Sequence, residues 1–133
     1  MLKVRTNGVE LFYEESGAGE PLLLIAGFAC DHTNWCKLVP LLASTSRLIT
    51  FDNRGVGQSS SPETSYSIRQ MAQDTIGLLD AIGLDSVHVA GHSMGGAIAQ
   101  LAALEHLVVE GTVTLSMRYS GTGRPEHLYA WPR

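Results

Sequence analysis

The chain has 133 residues, of which 44% are hydrophobic and 17% charged, and a formal net charge of −4. This length and composition indicate one globular domain, and the scattered basic residues exclude a nucleic acid or an anionic membrane surface as a partner. The longest apolar run, residues 22–26, is far shorter than the roughly 20 residues of a membrane helix, and the N-terminus has no signal-peptide core, so a cytoplasmic protein is expected.

The first predicted elements are a hairpin and a buried strand. Asn7 and Gly8 separate two β-prone runs, and this pair supplies the positive φ angles of a tight turn. Residues 22–26 follow a glycine-rich loop and are apolar throughout, which favours a strand covered on both faces of a parallel sheet. A short helix over residues 35–42 then leads to another strand at residues 47–51.

The clearest helical pattern comes next. Apolar residues recur at three- and four-residue spacing from Ile68 to Ile82, which gives the segment one apolar face. Ser67 and Gln70 form a capping box at its start, and Gly83 provides its stop.

The rest of the chain alternates strand and helix. Residues 86–90 are predicted as a strand, residues 94–105 as a well-covered apolar helix, and residues 112–116 as another strand. Strands that alternate with helices after a hairpin predict an α/β fold, with a mostly parallel sheet and flanking helices. Residues 118–133 show neither periodicity and are predicted as an irregular C-terminal tail, so the domain is assigned to residues 1–117.

One serine lies in a sequence pattern that is typical of a catalytic nucleophile. Gly91-His92-Ser93-Met94-Gly95 fits G-x-S-x-G between a predicted strand and a predicted helix, which is the context of a nucleophile elbow. The sharp turn strains the serine backbone and requires small neighbours. The serine hydroxyl then stands at the carboxyl edge of the sheet, with the Met94 N–H as a donor to an oxyanion. The alternative interpretation is a glycine-rich turn that binds phosphate or only packs tightly.

Two other patterns are weaker. Residues 55–60 follow a strand, as a dinucleotide-binding loop would, but they lack the third glycine and the following helix. Cys30, Asp31, His32 and Cys36 cluster in the sequence without matching a zinc spacing. We therefore expect no metal and no cofactor, and two reduced thiols in a cytosolic protein.

The hairpin, "LLLIAGF", "DNRGVGQS" and "GHSMGG" occur in this order. With these four features in this order, the chain resembles the N-terminal half of α/β-hydrolase-fold enzymes, above all esterases, 3-oxoadipate enol-lactonases and cofactor-free haloperoxidases. The resemblance covers about residues 2–116 and implies that Ser93 is the nucleophile and that the N–H groups of Phe28 and Met94 form the oxyanion hole. Ala26 stands where the family usually has His, which leaves the backbone donor intact but removes a side chain that helps to order this loop.

The same resemblance assigns roles to other residues near the expected site. Asp52 and Arg54 match a family loop that orders the neighbourhood of the site, and both are interpreted as structural. His88 and His92 are expected to be packed or capping residues, with the His92 side chain pointing away from the nucleophile. His32 is expected to line the pocket beneath the oxyanion loop, without a role in the reaction.

A nucleophilic serine needs a base and an acid, which in this family follow it along the chain. Glu105 and His106 fall roughly 18 Å from Ser93 by helix rise, which is out of reach. His127 has the reach, but an irregular tail does not hold an imidazole in place, and the adjacent Glu126 is poorly placed to orient it.

The sequence therefore predicts a serine hydrolase that acts on a small carboxylic ester or lactone, as a truncated chain with little activity alone. Epoxide hydrolases and dehalogenases are disfavoured because those relatives have Asp in place of Ser93. A peroxidase-like activity on the same site stays open, as does a non-catalytic domain that binds a ligand or a partner. Truncation would leave strand 112–116 as an exposed edge through which the chain could self-associate.

Overall fold

The computed structural model describes residues 2–110, 114–119 and 125–130, with side chains over residues 2–106. A single 3₁₀ turn, His32–Trp35, occurs within the described residues. The strands and α-helices, in chain order, are β1 (Leu2–Thr6), β2 (Val9–Ser16), β3 (Glu20–Ile25), α1 (Val39–Leu42), β4 (Ser46–Phe51), α2 (Ile68–Ala81), β5 (His88–Gly91), α3 (Met94–Glu110), β6 (Thr114–Tyr119) and β7 (Pro125–Ala130).

The strands form one mixed sheet in the order β1-β2-β4-β3-β5-β7-β6. Its centre is parallel, because β3 pairs in parallel with both β4 and β5, and both ends are antiparallel. The predicted α/β fold with flanking helices is confirmed, with the parallel pairing confined to the centre. Since parallel strands end at the same edge, the chain leaves β3, β4 and β5 at one edge of the sheet, where such folds place their ligands.

The predicted hairpin opens the chain. Asn7 has φ +47° and Gly8 has φ +76°, the left-handed pair that a two-residue type I′ turn requires. The Asn7 amide also donates to Asp74 Oδ1 in α2 at 2.8 Å. The turn is therefore fixed both by its own backbone preference and by a contact with a helix far away in the sequence.

The hydrophobic core lies between the sheet and helices α2 and α3. The α2 helix begins as predicted, with Ser67 Oγ accepting from the Gln70 N–H and the Gln70 side chain accepting from the Ser67 N–H. The apolar face of this helix is buried, and its fully buried neighbours come from alternate positions on the strands and from the start of α3. The largest of these neighbours are Leu11, Leu23, Ile25, Ile49, Phe51 and Ile98, and Leu78 is the fully buried leucine that α2 itself contributes.

The helix predicted over residues 35–42 is wrong in extent. The structure has the 3₁₀ turn His32–Trp35 and then the separate four-residue helix α1, with Pro40 in its first turn. A proline has no N–H to donate and fits only the first turn of a helix. A single helix that crossed Pro40 in its interior is therefore excluded.

The prediction of an irregular tail is wrong for the part that the structure describes. β6 extends to Tyr119, and β7 occupies Pro125–Ala130 between β5 and β6, antiparallel to both. Residues 112, 113, 120–124 and 131–133 of the predicted strand and tail lie outside the described residues. The segment has no strand periodicity in its sequence; its strand exists through backbone pairing with its two neighbours, a tertiary effect that outweighs local preference.

Candidate active site

The turn that carries Ser93 joins a strand directly to a helix. β5 ends at Gly91 and α3 begins at Met94, so only His92 and Ser93 lie between them. Ser93 has φ +55°, a left-handed conformation that costs a non-glycine residue free energy and persists only where the surroundings enforce it. Ser93 is exposed. The hydroxyl-bearing residue therefore stands on a sharp strand-to-helix turn at the carboxyl edge of the sheet.

Two glycines allow this bend. A Cβ on Gly91 would overlap the Gly95 carbonyl and the Gly96 nitrogen, and a Cβ on Gly95 would overlap the Ile25 carbonyl of β3. The first turn of α3 thus lies directly against β5 and β3. The small residues around the serine are required by close backbone approach and not by flexibility.

The loop after β3 packs against the serine. A Cβ placed on Gly27 would be 3.4 Å from Ser93 Cβ and 3.2 Å from the His92 carbonyl oxygen. The loop turns sharply, with the Cys30 N–H donating to the Gly27 carbonyl at 3.2 Å and Ala29 at φ +55°. The Phe28 side chain is 80% exposed. The residue that follows Gly27 is therefore adjacent to the elbow, where an oxyanion donor has to be.

Both expected donors are available for a ligand. Met94 is the first residue of α3, and the first N–H groups of a helix have no partner within it. Among the described residues, neither the Phe28 N–H nor the Met94 N–H has an acceptor. Two backbone donors from separate segments, on either side of one serine, can stabilise negative charge on a carbonyl oxygen.

His88 and His92, for which a packed or capping role is expected from the sequence, are both exposed, so neither is packed in the interior. The His92 ring lies by the oxyanion loop, since its Nδ1 is 3.4 Å from the position of a Cβ on Gly27.

A buried carboxylate orders the two loops at this edge. Asp52 is fully buried, and its Oδ1 accepts from the His32 backbone N–H at 2.7 Å and lies 2.8 Å from His32 Nδ1. Its Oδ2 accepts from the Gln58 N–H at 2.9 Å. Asp52 thus links the loops that follow β3 and β4. The pairing with His32 joins residues 20 positions apart, and no pattern in the sequence indicated it.

The Asp52–His32 pair has the geometry of an acid that orients a base, but it lies away from the serine. His32 Nε2 faces Glu14 Oε1 on β2 at 3.9 Å, and the ring packs on Phe12 of the same strand at 4.8 Å between centroids. In the strand order, β2 is three positions from β5. At about 4.8 Å per strand, this is about 14 Å, so the His32 imidazole is not placed to take a proton from Ser93.

Arg54 is held in a second buried network. Its Nε and one terminal nitrogen donate to both oxygens of Asp74 in α2, at 2.6 and 2.7 Å. The same guanidinium donates to the Asn7 carbonyl at 3.3 Å. The hydrogen bonds to Asp74 raise the pKa of Arg54 above its usual value. The network ties the first hairpin and the loop after β4 to the helix, so that the site rests on a rigid edge.

The structure brings no described side chain to Ser93 as a base. Over residues 2–106, no group accepts a hydrogen bond from Ser93 Oγ. Glu105 lies far along α3, where it faces Arg69 at 3.6 Å. His127 belongs to β7; its backbone comes one position beyond the last recorded pair between β5 and β7, Ala90 with Leu128. The side chains of His127 and Glu126 lie outside the described residues.

Among the residues that the structure describes, no group of three or more His, Cys, Asp or Glu side chains is placed to hold a metal ion. Cys30 is half-buried and Cys36 exposed, and both are free thiols. No helix in that part of the chain is long and apolar enough to cross a membrane.

The domain is of the α/β class, with parallel strands at the centre of the sheet and helices that cover it. Ligands in such domains bind at the carboxyl ends of the parallel strands, which here are β3, β4 and β5. A sequence profile for the alpha/beta hydrolase fold matches residues 20–115. The chain belongs to the α/β hydrolase fold family, and the resemblance inferred from its motifs is confirmed.

Individual relatives agree with this assignment. The chain is 40% identical over 95 residues to a protein of Azorhizobium caulinodans named as a carbamate hydrolase, covering 71% of this chain and 36% of that protein. It is 38% identical over 93 residues to a soluble epoxide hydrolase of a Corynebacterium species, covering 70% and 32%. The crystal structure of the enol-lactonase of Burkholderia xenovorans superposes with a TM-score of 0.75 at 29% identity, covering 79% and 42%. The chain spans about a third of the length of the two curated relatives.

Proposed function

We propose that this protein hydrolyses a small carboxylic ester or lactone with Ser93 as the nucleophile. The observation that carries the proposal is the contact between the Gly27 loop and the elbow, which sets two backbone N–H groups, without an acceptor among the described residues, around one exposed serine. Hydrolases among the relatives support the reaction class, and the enol-lactonase supports the substrate class. Serine at position 93 favours acyl transfer over the epoxide chemistry of the Corynebacterium relative.

The proposed reaction has two stages. Ser93 Oγ attacks the carbonyl carbon, and its proton passes to a base. The tetrahedral oxyanion accepts hydrogen bonds from the Phe28 and Met94 N–H groups, each worth about 10²–10³ in rate. Collapse breaks the bond to the alkoxide, which takes a proton and leaves as an alcohol or, from a lactone, as the free hydroxyl end of the acyl chain. Water then hydrolyses the acyl-serine ester.

The base and the acid limit the activity expected of this chain. Loss of a triad base costs a hydrolase about 10⁶ in kcat, while the oxyanion hole and substrate binding still act. Because none of the described side chains bonds to Ser93 Oγ, we infer slow acylation by the isolated chain. His127 is the histidine whose contribution we would test, given its backbone position near the end of β5.

Labelling with a fluorophosphonate probe tests the proposal, because phosphonylation uses the same serine and the same oxyanion donors without requiring turnover. We expect one label per chain, lost in Ser93→Ala and kept in Ser65→Ala, an exposed serine of the loop before α2. Hydrolysis of a short-chain aryl ester should follow the same pattern. A His127→Ala variant labelled at the wild-type rate would exclude His127 as the base.

A second outcome of the labelling experiment would indicate binding without catalysis. Folded protein that takes no label, but binds an ester analogue or a partner chain, would replace the hydrolase proposal with a non-catalytic binding role.

A further inference from the structure

Asn53 lies where the two loops of the site meet. It follows β4, and the parallel register that pairs Leu24 with Thr50 brings the residues after β3 alongside those after β4. Asn53 is 1% exposed. The amide is therefore buried next to the Ala26–Gly27 segment that leads into the oxyanion loop.

Within the described part of the chain, the Asn53 side-chain amide makes one hydrogen bond, and it is to that loop. Asn53 Nδ2 donates to the Ala26 carbonyl oxygen at 3.4 Å, across 27 positions of sequence. The Ala26 carbonyl is part of the planar Ala26–Gly27 peptide bond, and the Phe28 N–H is part of the next one, Gly27–Phe28. The hydrogen bond from Asn53 therefore restrains the peptide plane that precedes the Phe28 donor.

The other end of the same amide is unpaired. Asn53 Oδ1 is buried and has no hydrogen-bond partner among the described residues. An unpaired buried carbonyl lowers the stability of the folded state, and an apolar side chain of similar shape would avoid that penalty. The asparagine therefore offsets its one hydrogen bond to the buried Ala26 carbonyl with one unpaired group, which gives it no clear net advantage in stability. The donor to the oxyanion loop is what an apolar replacement would lack.

We propose that Asn53 is a positioning residue for the oxyanion loop, which holds the Ala26–Gly27 peptide and thereby aims the Phe28 N–H at the reacting carbonyl oxygen. The support comes from the loop after β4, since Ala26 has no polar side chain of its own. The inference rests on the proposed function, since it assigns Asn53 to the same oxyanion hole.

The first test compares labelling rate with stability in Asn53→Leu. We expect the fluorophosphonate to label Ser93 about two- to fivefold more slowly, because the 3.4 Å separation places this hydrogen bond at the weaker end of the ordinary range. The thermal midpoint should stay close to that of the wild type, because the variant removes the unpaired Asn53 carbonyl but leaves the buried Ala26 carbonyl without this donor. Asn53→Ala, which removes the amide without adding apolar bulk, should show the same loss of labelling rate and is the second variant if Asn53→Leu does not fold.

The control is Thr75→Val. Thr75 is also 1% exposed, and its hydroxyl donates to the Met71 carbonyl within α2, far from the loop. This variant should lower the thermal midpoint and leave the labelling rate unchanged. A merely structural role for Asn53 would give the same result as this control.

Amide hydrogen exchange separates this inference from the proposed function. The Cys30 N–H closes the oxyanion loop on the Gly27 carbonyl, so its exchange should quicken in Asn53→Leu while the amides of the central strands stay protected. Unchanged exchange at Cys30, or labelling at the wild-type rate, overturns the assignment of Asn53. If the wild type takes no label, the Ser93 hypothesis fails by itself, and exchange at Cys30 alone decides on Asn53.

Discussion

Replacing Asp74 with leucine should reveal how much the buried network beneath the site contributes to stability. Asp74 and Arg54 are 1% and 5% exposed, and their two short hydrogen bonds fix one guanidinium on one carboxylate. The variant leaves the cation buried without a counter-charge, and it also removes the acceptor of the Asn7 amide. Breaking one side of such a pair costs about 3–5 kcal/mol.

For a domain of this length, about 1 kcal/mol corresponds to about 4 °C in the thermal midpoint. Asp74→Leu should therefore melt about 12–20 °C below the wild type, as measured by circular dichroism. The double variant Arg54→Met/Asp74→Leu should recover more than half of that loss, because two apolar side chains leave no buried charge.

The Arg47–Glu15 pair is the matched control. It has similar bidentate geometry, at 2.9 and 3.1 Å, but its side chains are 36% and 28% exposed. Glu15→Leu should cost no more than about 1 kcal/mol, since water screens an exposed pair. An Asp74→Leu variant that melts as close to the wild type as Glu15→Leu does would refute the argument that burial makes the Arg54 network costly to break.

Four further predictions concern other parts of the chain. Ser67→Ala should lose about 1 kcal/mol in urea unfolding, because it removes one half of the capping box of α2; no change would mean that the cap is frayed in solution. Gly91→Ala should lose more than about 2 kcal/mol and all Ser93 labelling, since its methyl group meets the α3 backbone; a labelled, stable variant would contradict the elbow geometry. Hydrogen bonds from the Thr33 side chain and backbone lower the pKa of Asp31 below its ordinary value of 3.8. The stability that they contribute is therefore present above that pH and is lost as the pH falls through the lowered pKa. In Thr33→Val the Asp31 pKa measured by NMR should rise towards 3.8, and an unchanged value would refute the assignment. We also propose that the edge strand β6 allows self-association, so the mass by light scattering should increase with concentration; a monomer at every concentration would exclude it.

Local features of the fold followed from the sequence because the interactions that form them span only a few residues. The Asn7–Gly8 turn depends on two φ angles, and the start of α2 depends on two side chains three positions apart. The turn at Ser93 belongs to the same class, because the glycines around it are dictated by the approach of one strand to the next helix. The parallel centre of the sheet followed from the alternation of apolar strands with helices.

The sequence by itself thus determined most of the elements, apart from the extent of α1 and the strand β7, and the residue that stands at the turn. What supports that turn was decided only by the tertiary structure: the Asp52–His32 link, the Arg54–Asp74 pair and the Asn53 contact with Ala26 join residues 20 to 27 positions apart. Strand β7 likewise formed against the local preference of its residues, through hydrogen bonds to its neighbours in the sheet. The physical reason is the same for all of them. A polar contact becomes strong only once it is buried, and a strand is paired only once its neighbours are in place, so both depend on the folded chain. The partners are far apart in the sequence and show no regular spacing from which the contact could be predicted.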